Sequence, residues 1–154
     1  MSERRPEWIR ESNLIEGVND PLEDRRCLRA WNELQGKPWS VETVLWLHRR
    51  IMSKIRPDIA GKWRDCDVVV GGYDAPPPNE ARVYIREWVE LEGVIADYED
   101  GIKAAHVRFE KIHPFEDGNG RVGRMLMNWQ RVRAGLEPLC IPNEQKRAYY
   151  AWFD

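Results

Sequence analysis

Long apolar runs are missing from this chain. No stretch approaches the roughly 20 residues that a membrane span needs, although 42% of the 154 residues are hydrophobic. The opening Met1-Ser2-Glu3-Arg4-Arg5-Pro6 lacks the apolar segment of a secretory signal. Cysteine is scarce: Cys27, Cys66 and Cys140 are odd in number, widely spaced and in no C-x-x-C pair. Reduced thiols in the cytoplasm are the simplest reading. With three histidines in all, no His/Cys/carboxylate spacing suggests a zinc site. Charge of either sign is not in excess, with 24 Lys and Arg against 26 Asp and Glu and a formal charge of −2. That balance does not support general nucleic-acid binding. There is also no internal repeat, low-complexity tract or interdomain linker. A chain of this size and 32% charged content reads as one soluble domain, 1–154, with its own core.

Aromatics are plentiful where those features are not. Eight tryptophans recur mostly at helical spacing and read as core fillers. A short helix is expected over Glu7 to Glu16, stopped by Gly17 as a left-handed cap. Asp20-Pro21-Leu22-Glu23 is a capping-box start, followed by the stripe Cys27, Ala30, Trp31 and Leu34 and by Gly36. Ser40 can cap a third helix with Val44, Leu47, Ile51 and Ile55 inward, closed by Pro57. From Asp58 to Pro78 the helical rhythm breaks, with a flap over about 65–78. Asp67-Val68-Val69-Val70 has strand composition, Gly71-Gly72 supplies a turn, and Pro76-Pro77-Pro78 cannot continue a ladder. A β-hairpin flap on a helical body is expected. Asn79 then caps a helix carrying Tyr84, Trp88, Leu91 and Ile95, and the next turns Ile102, Ala105, Phe109 and Ile112 inward. Beyond Gly120 comes a helix with Val122, Met125, Leu126, Trp129 and Val132, ending at Gly135. Asn143 caps a last one with Tyr149, Tyr150 and Phe153. The fold class is all-α, a helical bundle with one small hairpin.

The richest stretch is His113-Pro114-Phe115-Glu116-Asp117-Gly118-Asn119-Gly120-Arg121-Val122-Gly123-Arg124. An imidazole can take a proton near neutral pH, and the carboxylate of Asp117 can hold a hard cation such as Mg²⁺. The glycines let backbone N–H groups converge on an anion at a helix start. Arg121 and Arg124, three apart on one side of that helix, can clamp phosphate oxygens. Taken singly these are an ordinary turn, surface arginines and a helix-end histidine. Together they are suited to polyphosphate chemistry. His106 reads as a packed, hydrogen-bonded histidine, and His48 as a surface or boundary residue.

The cassette resembles the signature H-x-F-x-[D/E]-G-N-G-R-x-x-R of the Fic (filamentation-induced-by-cyclic-AMP) family. All eight specified positions are met by His113, Phe115, Asp117, Gly118, Asn119, Gly120, Arg121 and Arg124. Ala105-His106, Phe109, Gly61-Lys62-Trp63-Arg64, Val68 to Pro78 and Tyr149-Tyr150 extend the likeness from Asp20 to the end. The resemblance implies a Fic-type bundle and transfer of AMP from ATP to a Ser, Thr or Tyr hydroxyl of a protein. It makes His113 the base and Asp117 the holder of Mg²⁺, with Phe115 as an apolar anchor for the loop. Backbone amides of Gly118, Asn119 and Gly120 would hold the phosphates, Arg121 the leaving pyrophosphate and Arg124 the γ-phosphate. Val70, Gly71, Gly72 and Tyr73 would border the nucleotide and pair with an extended target segment by strand addition. Tyr149 and Tyr150 match a C-terminal aromatic pair, beyond which relatives commonly continue with a helix closing the adenine side.

Ser12-Asn13-Leu14-Ile15-Glu16-Gly17 resembles the family's inhibitory motif [S/T]-x-x-x-E-[G/N], placed on an N-terminal helix within 1–19. By resemblance Glu16 would pair with Arg124 where the γ-phosphate belongs, with Ser12 bonding locally to position it. Two alternatives stay open: removal of AMP from a modified protein by the same site, and a nucleotide-binding interaction module with negligible turnover. The oligomeric state, including a homo-oligomer, is also open.

Overall fold

The computed structural model describes residues 6–93 and 99–154, without the side chain of Tyr73. The described residues form seven α-helices, two 3₁₀ turns and one two-stranded hairpin, the all-α body with one small hairpin that the sequence pattern predicts.

Helix α1 (Glu7–Ile15) ends as Gly17 requires. With φ at +74°, Gly17 lets its own N–H reach Leu14 O while the Val18 N–H reaches Asn13 O. This paired closure leaves Glu16 as the residue just past the last helical turn. In α2 (Pro21–Leu34), the Asp20 carboxylate accepts from the Leu22 N–H at 2.9 Å. In α3 (Val41–Met52), Ser40 Oγ accepts from the Thr43 N–H at 3.1 Å. Asp20 and Ser40 cap as expected and the stripe Cys27, Ala30, Trp31, Leu34 is buried, but the capping box is not completed, because the Glu23 carboxylate pairs with Arg26. Helix α3 stops at Met52, short of Pro57, and Ile55 is partly exposed. The chain there turns so that Arg56 can reach Asp58 and Glu116.

The hairpin pairs β1 (Val69–Val70) with β2 (Tyr73–Asp74), Val70 opposite Tyr73. Gly71 and Gly72 both have positive φ, +56° and +89°, the conformation a two-residue turn needs to match strand twist. Helix α4 (Pro78–Glu92) starts after Pro77, with no capping by Asn79. Its buried face is Ala81, Ile85, Trp88, Val89 and Glu92, while Tyr84 and Leu91 face solvent. Two helical stripes pass through Trp88, and periodicity cannot choose between them. Packing does, because Trp88 donates to Ala105 O and lies tilted against Trp39 and Phe109. Ile95 lies outside the described residues.

Helices α5 (Glu99–Ile112) and α6 (Asn119–Arg133) pack on each other at the centre, and α6 is almost wholly buried. The last expected helix is broken. A 3₁₀ turn (Asn143–Gln145) precedes the five-residue α7 (Lys146–Tyr150) and a second 3₁₀ turn (Ala151–Phe153). Asn143 caps nothing with its side chain; its N–H is held by Glu11 of α1. Helix α1 itself is built into the body. Trp8 meets Trp31 edge-on at 4.9 Å, Ile9 and Ile15 are buried, and Asn13 donates to Asp24 at 2.8 Å.

Arg64 ties hairpin to body. Its guanidinium donates to the carbonyls of Cys66, Pro76, Ile112 and His113, and its own N–H to Pro114 O. Arg64→Ala leaves several carbonyls without a donor and is expected to lower stability by about 3 kcal/mol or more. Urea unfolding checks this; a loss below about 1 kcal/mol would remove Arg64 as the clamp.

Candidate active site

The junction between α5 and α6 is shaped by aromatic packing and one amide. Phe115 is fully buried, stacked on the His48 ring at 3.7 Å and 3° and against Trp63 at 5.1 Å. The Asn119 side chain accepts from the Phe115 N–H at 2.9 Å and donates to Phe115 O at 2.8 Å, closing the loop on itself. His48 is therefore a buried loop anchor rather than a boundary residue. Its Nδ1 accepts from the Gly61 N–H, so the proton sits on Nε2, which donates to Asp117 O at 2.8 Å. Burial lowers His48 to about 4, which keeps this tautomer neutral.

Gly118, at φ +87°, opens α6, and a Cβ there would run into Met52 Sδ at 2.7 Å. No side chain caps this helix, and among the described residues the N–H groups of Asn119 and Gly120 find no acceptor. Uncapped amides at the positive end of a helix dipole attract an anion. The Gly118 N–H is taken by Asp117 Oδ1 at 2.8 Å; the other oxygen of that carboxylate has no partner among the described residues.

This helix start faces a cavity of about 690 Å³. Its wall brings together Glu16, Val70, Gly71, His113, Asp117, Gly118, Asn119, Gly120, Arg124, Tyr149 and Tyr150. His113 adopts a left-handed backbone at φ +51°, a strained state for a non-glycine residue. Its Nδ1–H donates to Glu110 O at 3.1 Å, which leaves the Nε2 lone pair without a partner among the described residues. Burial lowers its basicity, partly offset by that bond and by the charges of Glu16 and Asp117. At neutral pH it is a free base on the cavity wall.

Arg124 is 3% exposed and fully engaged. Its Nη2 donates to Glu16 Oε1 at 2.8 Å and to Ser12 O at 3.1 Å, its Nε to Ser12 Oγ at 2.8 Å, and its plane lies over Tyr149. Ser12 thus grips Arg124 from behind instead of bonding locally. The Glu16 carboxylate lies directly over Gly120, where any Cβ would overlap it. A side-chain anion already fills the mouth of the helix.

Arg121 departs from expectation. Despite its spacing from Arg124, it turns away from the cavity, buried beneath α1 and α2 with Nη2 against Met52 Sδ at 3.0 Å. The Trp8 and Ile9 side of α6 claims it. Gly17 serves the helix end, and Gly72 the turn; the Tyr73 side chain lies outside the described residues. Tyr149 is buried and donates its hydroxyl proton to His106 Nε2 at 2.6 Å, because His106 Nδ1–H is committed to Gly123 O. Burial lowers His106 to about 3, as the packed-histidine reading expected.

Sequence reasoning missed His48, Arg64 and Glu110. Glu110 is a buried carboxyl on the cavity wall, raised to about 8 by burial, with Arg124 opposing and Glu16 adding to the rise. Its position one turn before His113 on the inward stripe was the available signal. Asp65, Cys66 and Glu116 also converge within 4.8 Å, but Glu116 is committed to Arg56 and to the Cys66 thiol.

A helical body, a glycine-turn hairpin and a helix start without a side-chain cap, overlain by Glu16 and beside the His113 imidazole, meet at one cavity. The chain belongs to the Fic/DOC family, whose model matches residues 38–130. A Fic domain containing signaling protein from Bacteroides thetaiotaomicron superimposes with TM-score 0.73 at 23% identity, over 94% of this chain and 68% of that one. A Fic family protein from Desulfovibrio desulfuricans gives 0.75 at 21% identity, over 94% and 54%. In sequence, the proteins named "Protein adenylyltransferase Fic" from Drosophila erecta and Drosophila melanogaster are each 36% identical over 115 residues, 72% of this chain. The matched part spans 23% of the length of these relatives.

The titration of the buried groups has opposite signs. His48 and His106 are depressed, so their share of stability is full above the unfolded value of about 6.5 and is lost as pH falls toward about 4 and 3. Glu110 is raised, so its share is full below about 4.5 and is lost as pH rises through about 8. Between about pH 4.5 and 6.5 the two oppose each other. Removing the carboxyl in Glu110→Gln is expected to steepen the acid loss of stability there by about one proton, roughly 1.4 kcal/mol per pH unit. Urea unfolding across that range reads it; equal slopes for both proteins would count against the buried acid.

Proposed function

We propose that this chain is a protein adenylyltransferase that moves AMP from ATP to a hydroxyl side chain of a target protein, held back by Glu16. The observation that carries the reading is His113 Nε2, without a partner among the described residues, on the same cavity wall as the uncapped amides of α6. The imidazole takes the proton of the attacking hydroxyl, and the helix-start amides of Asn119 and Gly120 receive charge on the phosphates during displacement at the α-phosphorus. Arg124 binds the terminal phosphate once Glu16 leaves it. Arg121, buried against Met52, does not reach the phosphates in this arrangement.

Asp117 fits a Mg²⁺ site: one carboxylate with a free oxygen beside a phosphate cradle matches the sparse protein ligation this ion prefers. When bound, the ion would neutralise phosphate oxygens. The hairpin offers its backbone to an extended target segment, which aligns a hydroxyl by main-chain bonds. A binding module has no use for a free base, which favours catalysis. The reverse reaction has one supporting observation: Glu16 shares the cavity with His113 and could orient a water on an AMP-modified protein.

The brake is a charge-assisted bond of roughly 1.5–3 kcal/mol, about ten- to 150-fold in an equilibrium. Glu16→Gly is expected to raise self-modification with MgATP at least about tenfold over wild type, seen by intact mass as addition of AMP. Equal labelling of the two proteins would remove the brake. His113→Ala in that background is expected to abolish labelling while ATP binding persists; undiminished labelling would refute the base. Release of AMP from a modified target by wild type, with no forward labelling by either protein, would favour the reverse reaction.

A further inference from the structure

Glu110 lines the cavity but has no part in the reaction proposed above. It is buried one turn before His113 on α5, and among the described residues its Oε1 has no hydrogen-bond partner. The space it occupies exists because position 123 is glycine; a Cβ there would overlap Oε1 and press on Phe109. His106 on the same helix lies 4.0 Å away, yet its Nε2 accepts from Tyr149 and has no proton to give. Arg124 faces Glu110 from α6, Glu16 from the end of α1, and Tyr149 and Tyr150 from α7. His113, one turn on along α5, bonds to the Glu110 carbonyl through Nδ1.

Two carboxyl groups therefore feel the charge of one guanidinium, Glu16 through a direct bond and Glu110 from farther off. A phosphate arriving at Arg124 displaces Glu16 but still meets Glu110, which cannot leave α5. An ionised Glu110 would repel it; a neutral one has an O–H in need of an acceptor. We propose that the protonated Glu110 carboxyl is a hydrogen-bond donor to the terminal phosphate of the bound nucleoside triphosphate, beside Arg124, and so helps to select a triphosphate over a diphosphate. The inference rests on the nucleotide reading of the cavity. Burial, which holds the proton on Glu110 up to about 8, supplies the donor at neutral pH.

The test uses the whole wild-type chain, in which Glu16 keeps its part in raising Glu110, with MgATP and MgADP titrated calorimetrically from about pH 7 to about 9.5. ATP affinity is expected to fall about thirtyfold over that range, as one-proton linkage to a group titrating at about 8 requires, while ADP affinity stays level. At about pH 8.5 ATP binding takes up about three-quarters of a proton, read from buffers of different ionisation enthalpy, and ADP binding takes up none. Adding Glu110→Gln, whose amide donates without titrating, flattens the ATP profile. The proton-uptake arm needs no change at Glu110, so it decides even if that variant fails to fold. Equal pH profiles or equal proton uptake for the two nucleotides would overturn the role of Glu110 while leaving the nucleotide site standing. No binding of either nucleotide at any pH would overturn both.

Discussion

The guanidinium of Arg124 is the charge around which this molecule is arranged. A buried cation is tolerable only if its donors are answered, and the answers come from separate parts of the chain. Ser12 and Glu16 reach it from the first helix and its cap, Tyr149 covers it from near the C-terminus, and Glu110 faces it from α5. The small apolar cluster of Ile15, Ile102, Met127, Ile141 and Tyr149 wraps this side of the molecule. Charge satisfaction thus links the two ends of the chain to the central helix pair.

Around that charge, the three histidines divide the labour by tautomer. His48 keeps its proton on Nε2 and fastens the loop at Asp117; His106 keeps its own on Nδ1 and fastens Tyr149 to α6. Both are locked neutral by burial and spend both ring nitrogens on structure. His113 spends one nitrogen and leaves the other open. Its left-handed backbone, between the end of α5 and Pro114, is held by the Arg64 clamp on its carbonyl. The chemistry proposed for the site needs one imidazole with a free lone pair, and the fold supplies that by occupying the other two.

Much of this was legible in the residues. The caps at Asp20 and Ser40, the stop at Gly17, the glycine turn of the hairpin and the cluster of Asp117, Gly118, Asn119, Gly120 and Arg124 on one cavity all follow from local chemistry. What was not legible depends on partners far along the chain. The inward face of α4 is set by what Trp88 meets on α5, and His48 looks like a boundary residue until Phe115 lies on its ring. Arg121 and Arg124 share a helical spacing, but α1 and α2 cover one and the cavity receives the other. Ser12 was expected to bond nearby, yet its nearest unanswered donors belong to Arg124, which is 112 residues away in sequence. Glu110 sits on an apolar stripe and carries no motif; its meaning comes from the missing side chain at Gly123.

The anchoring of α1 bears on the brake proposed for Glu16. Withdrawing the helix would strip Trp8, Ile9 and Ile15 from the core, at about 1.5–3 kcal/mol each, well beyond what the Glu16 contact returns. Glu16 itself stands past the last turn with its side chain 39% open to solvent, and can swing aside while every other contact of α1 stays in place. In the proposed reading Glu16 is a tethered competitor that never diffuses away, a fixed local concentration against which nucleotide would compete. The strength of such a brake would be indifferent to how much of the protein a cell contains.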